Sequence, residues 1–138
     1  METGINLILL ASIVYMVLGG VHAYLTQFTK AMEPAKPEVL ELNKSSHSNI
    51  TTQTTLWSGS IGFHLSHSLG LFIFGLFYFA LATDNPELIS SSMFFSLAIV
   101  LVPILYLFLS IKYWFIVPTI GLGLSCAFFI LGLVLISP

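Results

Sequence analysis

The stretch Trp57–Ala80, WSGSIGFHLSHSLGLFIFGLFYFA, constrains this chain more than any other part of it. It is long enough to cross the ~30 Å hydrocarbon core of a bilayer as a helix, and it contains no Asp, Glu, Lys or Arg. Yet it carries two histidines, His64 and His67, among serines and glycines. Covering so apolar a helix with a solvated surface needs charged residues that the chain lacks. Only 7% of its 138 residues are charged and 57% are hydrophobic, whereas soluble domains carry roughly 25% charged residues. Hydrocarbon is the expected solvent. Three further apolar runs complete the pattern, so helices are expected at about 5–28, 56–83, 92–110 and 114–136, with a polar loop at 29–55. Short connections make sequential helices antiparallel neighbours. The expected fold class is all-α: a polytopic membrane protein, a four-transmembrane-helix antiparallel bundle forming a single domain over residues 1–138.

The first run mimics a signal peptide at Val21-His22-Ala23, but Glu2 replaces the usual basic start. The run is also longer than an h-region of ~7–15 residues, so it reads as an anchor. In the polar loop, Pro37–Leu42 has an apolar side and suits one or two helical turns, whereas Ser45–Thr55 has no apolar period. Hydroxyls in that stretch can cap the following helix. Asn43-Lys44-Ser45 and Asn49-Ile50-Thr51 match a glycosylation sequon, a chemistry at odds with the cytoplasmic placement below. Asp84–Glu87 reads as a turn, with Ser90–Ser92 as caps for the third helix, and Pro103 falls inside that helix.

All four lysines, Lys30, Lys36, Lys44 and Lys112, fall in the first and third connections. The positive-inside rule therefore places residues 29–55 and 110–113 in the cytoplasm and both termini outside. No arginine is present and the net charge is −2, which leaves no basic footprint for nucleic acid. Cys126, the only cysteine, cannot form an internal disulfide and reads as a small packing residue.

On a helical wheel, Ser60, His64, His67, Ser68 and Leu71 share one face of the second span. Gly62, Ser66 and Gly70 form a separate small-residue groove of the kind that admits a neighbouring helix. Gly19, Gly121 and Ser125 are expected to serve the same packing role in the first and fourth spans. His64 lies ~10 Å along the helix from Trp57, and His22 lies ~9 Å from Phe28. Both are measured from the connecting loop, so they should sit at one level, with His67 ~4–5 Å deeper. His22, His64 and His67 are thus the candidate cofactor-binding residues, with Tyr15, Thr26, Ser60 and Ser68 around them.

Several occupants suit such a face. Three neutral imidazoles satisfy a zinc-type site with one open position. A haem needs ligands on opposite sides of its ring, which His22 with His64 or His67 provides but His64 with His67 does not. A quinone or lipid head group takes hydrogen bonds from imidazole. The plainest alternative is that each histidine bonds a hydroxyl or carbonyl of the next helix. His47, in the polar loop, is expected to be merely solvated. No charged residue lies within the four spans, so a carboxylate proton relay is missing. The only aspartate, Asp84, lies in a loop on the opposite side, and no Ser-His-Asp arrangement can be assembled. Phe72, Phe74, Phe77, Tyr78 and Phe79 suit lipid contact and core packing.

Gly62-Phe63-His64-Leu65-Ser66-His67-Ser68-Leu69-Gly70 resembles the second-helix pattern Phe-(Asn/His)-x-Ser-(His/Phe)-x-x-Gly of an uncharacterised family of small bacterial four-helix integral membrane proteins. Gly19-Gly20-Val21-His22 matches that family's Gly-(Gly)-x-His pattern at the end of its first helix. The resemblance covers the first two helices, and it implies the topology and a bacterial inner-membrane location rather than an activity. The expected function is that of a small integral membrane protein, leaning away from catalysis, acting as an accessory or ligand-binding subunit through the His22/His64/His67 face. The alternatives are a membrane redox protein holding haem or quinone there, and an oligomeric small-molecule permease. Expected partners are the lipid bilayer and a second copy or a membrane-complex subunit, with no nucleic acid.

Overall fold

The computed structural model describes residues 1–137. In chain order they form α1 (Glu2–Phe28), α2 (Pro37–Ser45), β1 (His47–Ser48), β2 (Thr51–Thr55), α3 (Leu56–Asp84), α4 (Pro86–Ser91), α5 (Met93–Tyr113) and α6 (Ile116–Ile136). The protein is therefore essentially all-helical, and α1, α3, α5 and α6 are each long and apolar enough to cross a membrane. Of the most apolar 18-residue window in any of them, no more than 33% is buried within the chain. The remaining residues of each window are partly or fully exposed. By contacts the chain divides into two compact units, one made of Met1–Leu18 with the described residues from Leu71 onward, the other of Gly19–Gly70.

The first unit holds the larger core. The buried face of α1 runs through Gly4, Ile8, Ala11, Ser12 and Tyr15, the three- and four-residue spacing of one helix face. It is joined there by Leu71, Tyr78 and Ala82 of α3, Ile89 of α4, Ile99 of α5, and Leu122 and Phe129 of α6. Helices approach most closely where a side chain is absent. A Cβ at Gly132 would lie 2.8 Å from the Gly4 carbonyl oxygen, and one at Gly75 would lie 2.6 Å from that of Ser12. Gly121 sits under Leu18, whose nearest methyl would be 3.3 Å from an added Cβ. Around these contacts Tyr15 packs on Phe74, Phe129 and Tyr106 at ring separations of 5.3, 5.6 and 6.0 Å. Of the aromatic run in α3, Phe74 and Tyr78 face this core, while Phe72 and Phe77 are exposed.

Hydroxyls, not charges, tie the helices of this unit together. Ser125 Oγ donates to the Ala11 carbonyl at 2.8 Å, and Tyr78 Oη to that of Phe95 at 2.8 Å. Ser96 Oγ donates to the Ile89 carbonyl at 2.7 Å, and Ser110 and Thr119 share a hydrogen bond of 2.6 Å. Ser125 thus meets α1 through a hydrogen bond, and Gly121 through the side chain of Leu18. The expected turn at Asp84–Glu87 instead feeds a short helix, α4, opened by Pro86, whose fixed φ suits a first helical turn. Ser92 occupies the N-cap of α5, but its hydroxyl makes no capping bond.

The second unit holds the ends of α1 and α3 and the connection between them. Where no apolar period was visible, the threonine-rich segment forms an antiparallel hairpin, with His47 opposite Thr55 and Ser48 opposite Thr51. β-Branched residues favour extended backbone, and Asn49-Ile50 makes the turn. His47 is exposed as expected, but its Nδ1 pairs with the Thr54 carbonyl at 2.9 Å across the hairpin. Thr55 caps α3, its Oγ1 accepting from the Ser58 amide at 3.2 Å. Of the Gly62/Ser66/Gly70 groove, Gly62 has nothing within 4 Å of an added Cβ, and all three residues are exposed. A helix that is apolar all round gives no sequence cue to which face turns inward.

Candidate functional site

All four histidines belong to the second unit, and three of them come together there. His22 projects from the last third of α1, and His64 and His67 from the first half of α3. His22 Nε2 and His64 Nδ1 lie 3.2 Å apart, a hydrogen bond in which one ring donates and the other accepts. The His22 and His64 rings are tilted by 55° with centroids 5.2 Å apart, and the rings of His67 and His22 are T-shaped to one another at 5.7 Å. All three are half-buried, so their rings are reachable yet shielded. Among the described residues no group of three or more His, Cys, Asp or Glu is arranged to hold a metal ion. The three-imidazole zinc arrangement that spacing suggested is therefore not found among the described residues, although the His67 ring lies 5.7 Å from that of His22.

The backbone carrying the pair is clamped twice in the same way. Thr26 Oγ1 donates to the carbonyl of His22, and Ser68 Oγ to the carbonyl of His64, each four residues back and each at 2.8 Å. Both hydroxyls are buried. They serve the histidine-bearing turns rather than the imidazoles, which is how a buried Ser or Thr satisfies itself inside a helix. Ser60 is exposed. Tyr15 belongs to the first unit, where it is fully buried in the aromatic core, so its role lies in packing there.

Phe63, which opens the second-helix pattern, was not expected at the cluster from the sequence. Phe63 stacks on His67 at 6.3 Å with the planes 15° apart, and it is T-shaped to His64 at 6.2 Å. The signal was available, since positions 63 and 67 are an i,i+4 pair on one helix face. Chemically, the arrangement offers imidazole nitrogens as hydrogen-bond donors and acceptors beside an aromatic face. No protein-family model matches the chain, and comparison with curated proteins and with solved structures likewise gives no match.

Proposed function

We propose that this is a small integral membrane protein, an antiparallel bundle of α1, α3, α5 and α6, that works as a non-catalytic accessory or ligand-binding subunit. Its working surface is the His22/His64/His67 face. Membrane insertion is supported by the outward apolar residues of all four helices, among them Val17, Ile73, Leu101 and Val134. Serines and glycines sit among the buried apolar residues, Ser12, Ser125, Gly4 and Gly132 among them, and small residues of this kind let helices pack in lipid. The antiparallel order is supported by contacts that run in opposite directions. In α1 and α6 they pair Gly4 with Gly132, Ala11 with Ser125 and Leu18 with Gly121. The lysine distribution and the resemblance of helices one and two support a bacterial inner membrane with residues 29–55 inside.

The observation that carries the ligand-binding role is the His22–His64 contact at 3.2 Å with His67 against it. Polar rings inside an apolar span are costly unless they face protein or ligand. The same distance speaks against haem, whose two axial nitrogens flank the iron at ~4 Å, twice a metal–nitrogen bond. Native mass spectrometry of the full chain in mild detergent tests this role. One bound adduct is expected, lost in His22→Ala and in His64→Ala and kept in His47→Ala. A folded wild type without an adduct, or an adduct indifferent to His22 and His64, overturns the role.

A further inference from the structure

We propose that His22 and His64 are the protein ligands of a divalent transition-metal ion of tetrahedral preference, chemically of the zinc type. The proposal rests on the ligand-binding reading above and narrows it, the ligand being a metal ion rather than an organic molecule. Distance decides the geometry. Two nitrogens bound at 2.0–2.1 Å to one tetrahedral ion stand about 3.3 Å apart, and His22 Nε2 and His64 Nδ1 stand 3.2 Å apart. A linear ion or a haem iron between them needs about 4 Å. The observed separation is that of one edge of a tetrahedron.

The donor set decides the ion. Two imidazoles with no carboxylate suit zinc and its transition-metal neighbours and not the oxygen-seeking calcium or magnesium. Among the described residues no third His, Cys, Asp or Glu completes the set, so water or a small ligand takes the remaining two positions. Such water can reach the site. His22 lies six residues from the end of α1, ~9 Å along the axis, and the histidines are half-buried rather than sealed. The Thr26 and Ser68 bonds to the carbonyls of His22 and His64 hold both ligand-bearing turns. The protons balance as follows. In the empty pair one of the two facing nitrogens carries a hydrogen. On binding, that ring shifts its hydrogen to the nitrogen facing away, both facing lone pairs bind the ion, and no proton leaves the neutral pair.

The test is titration of metal-stripped, full-length protein in mild detergent with Co2+, followed by Zn2+. One Co2+ per chain is expected, with the visible absorption of a four-coordinate ion, and Zn2+ should displace it. Zn2+ should also raise the melting temperature of the wild type, by mass action on the folded state, a readout that needs no variant. His22→Ala and His64→Ala should each weaken binding by at least about tenfold, and His47→Ala should leave it unchanged. Absence of saturable Co2+ and Zn2+ binding by the wild type overturns the metal site, as does binding indifferent to His22 or abolished equally by His47→Ala. If an organic adduct then still depends on His22 and His64, only the metal is wrong. If no adduct depends on them, the ligand-binding reading falls as well.

Discussion

Tyr15 is fully buried, and its hydroxyl is the one buried side-chain polar atom among the described residues without a hydrogen-bond partner. A buried, unsatisfied polar group costs about 1–3 kcal/mol. Tyr15→Phe keeps the aromatic contacts and removes that cost, so it should raise stability by about 1 kcal/mol. Tyr78→Phe should do the reverse and lose about 0.5–1.5 kcal/mol, because its hydroxyl bonds the Phe95 carbonyl at 2.8 Å. Thermal unfolding of both variants in one detergent checks the opposite signs. The glycines make a similar pair. A Cβ at Gly75 would lie 2.6 Å from the backbone oxygen of Ser12, whereas one at Gly62 meets nothing within 4 Å. Gly75→Ala should therefore cost about 1–3 kcal/mol, and Gly62→Ala should stay within about 0.5 kcal/mol. Equal effects of the two would contradict the close α1–α3 approach. At this scale the sequence was a partial guide. It singled out Gly62 by its four-residue spacing and passed over Gly4 and Gly75, because spacing says nothing about which side of a uniformly apolar helix is covered.

Between elements, the links are a few hydroxyl and imidazole bonds across apolar contacts. The bond from His22 to His64 joins α1 to α3, and its energy is measurable as the coupling in a double-mutant cycle of His22→Ala and His64→Ala. Polar contacts between membrane helices average about 0.6 kcal/mol and reach about 1.7, so a coupling of 0.6–1.7 kcal/mol is expected. Additivity within error would mean that the two rings do not interact. That these histidines stand at one level was legible from residue counts on two helices leaving one loop, since helix rise is constant. The mutual bond was not, because it depends on ring orientation. Nor was the hairpin at His47–Thr55, where threonine β preference and the pairing of two short strands act without any hydrophobic period. The helix α4 was hidden by a turn-forming cluster that also serves as a helix start.

For the molecule as a whole, the proposed topology makes a prediction about sides. With residues 29–55 cytoplasmic, Ser45→Cys should react with an impermeant thiol reagent only from the cytoplasmic face, and Asn85→Cys only from the other. The native Cys126 is buried, with 5% of its surface exposed, and should stay unlabelled in both. Labelling of both sites from one face would break the four-span arrangement. What the sequence by itself determined is that four long apolar helices form and that one polar connection separates the first from the second. Helix length and apolar content are sums over neighbouring residues, and they need no knowledge of the rest of the chain. Only the tertiary structure decided which faces meet. Helices apolar all round carry no directional signal, so the choice fell to a few backbone approaches at Gly4, Gly75 and Gly132 and to hydroxyls such as Ser125 that find a carbonyl on another helix.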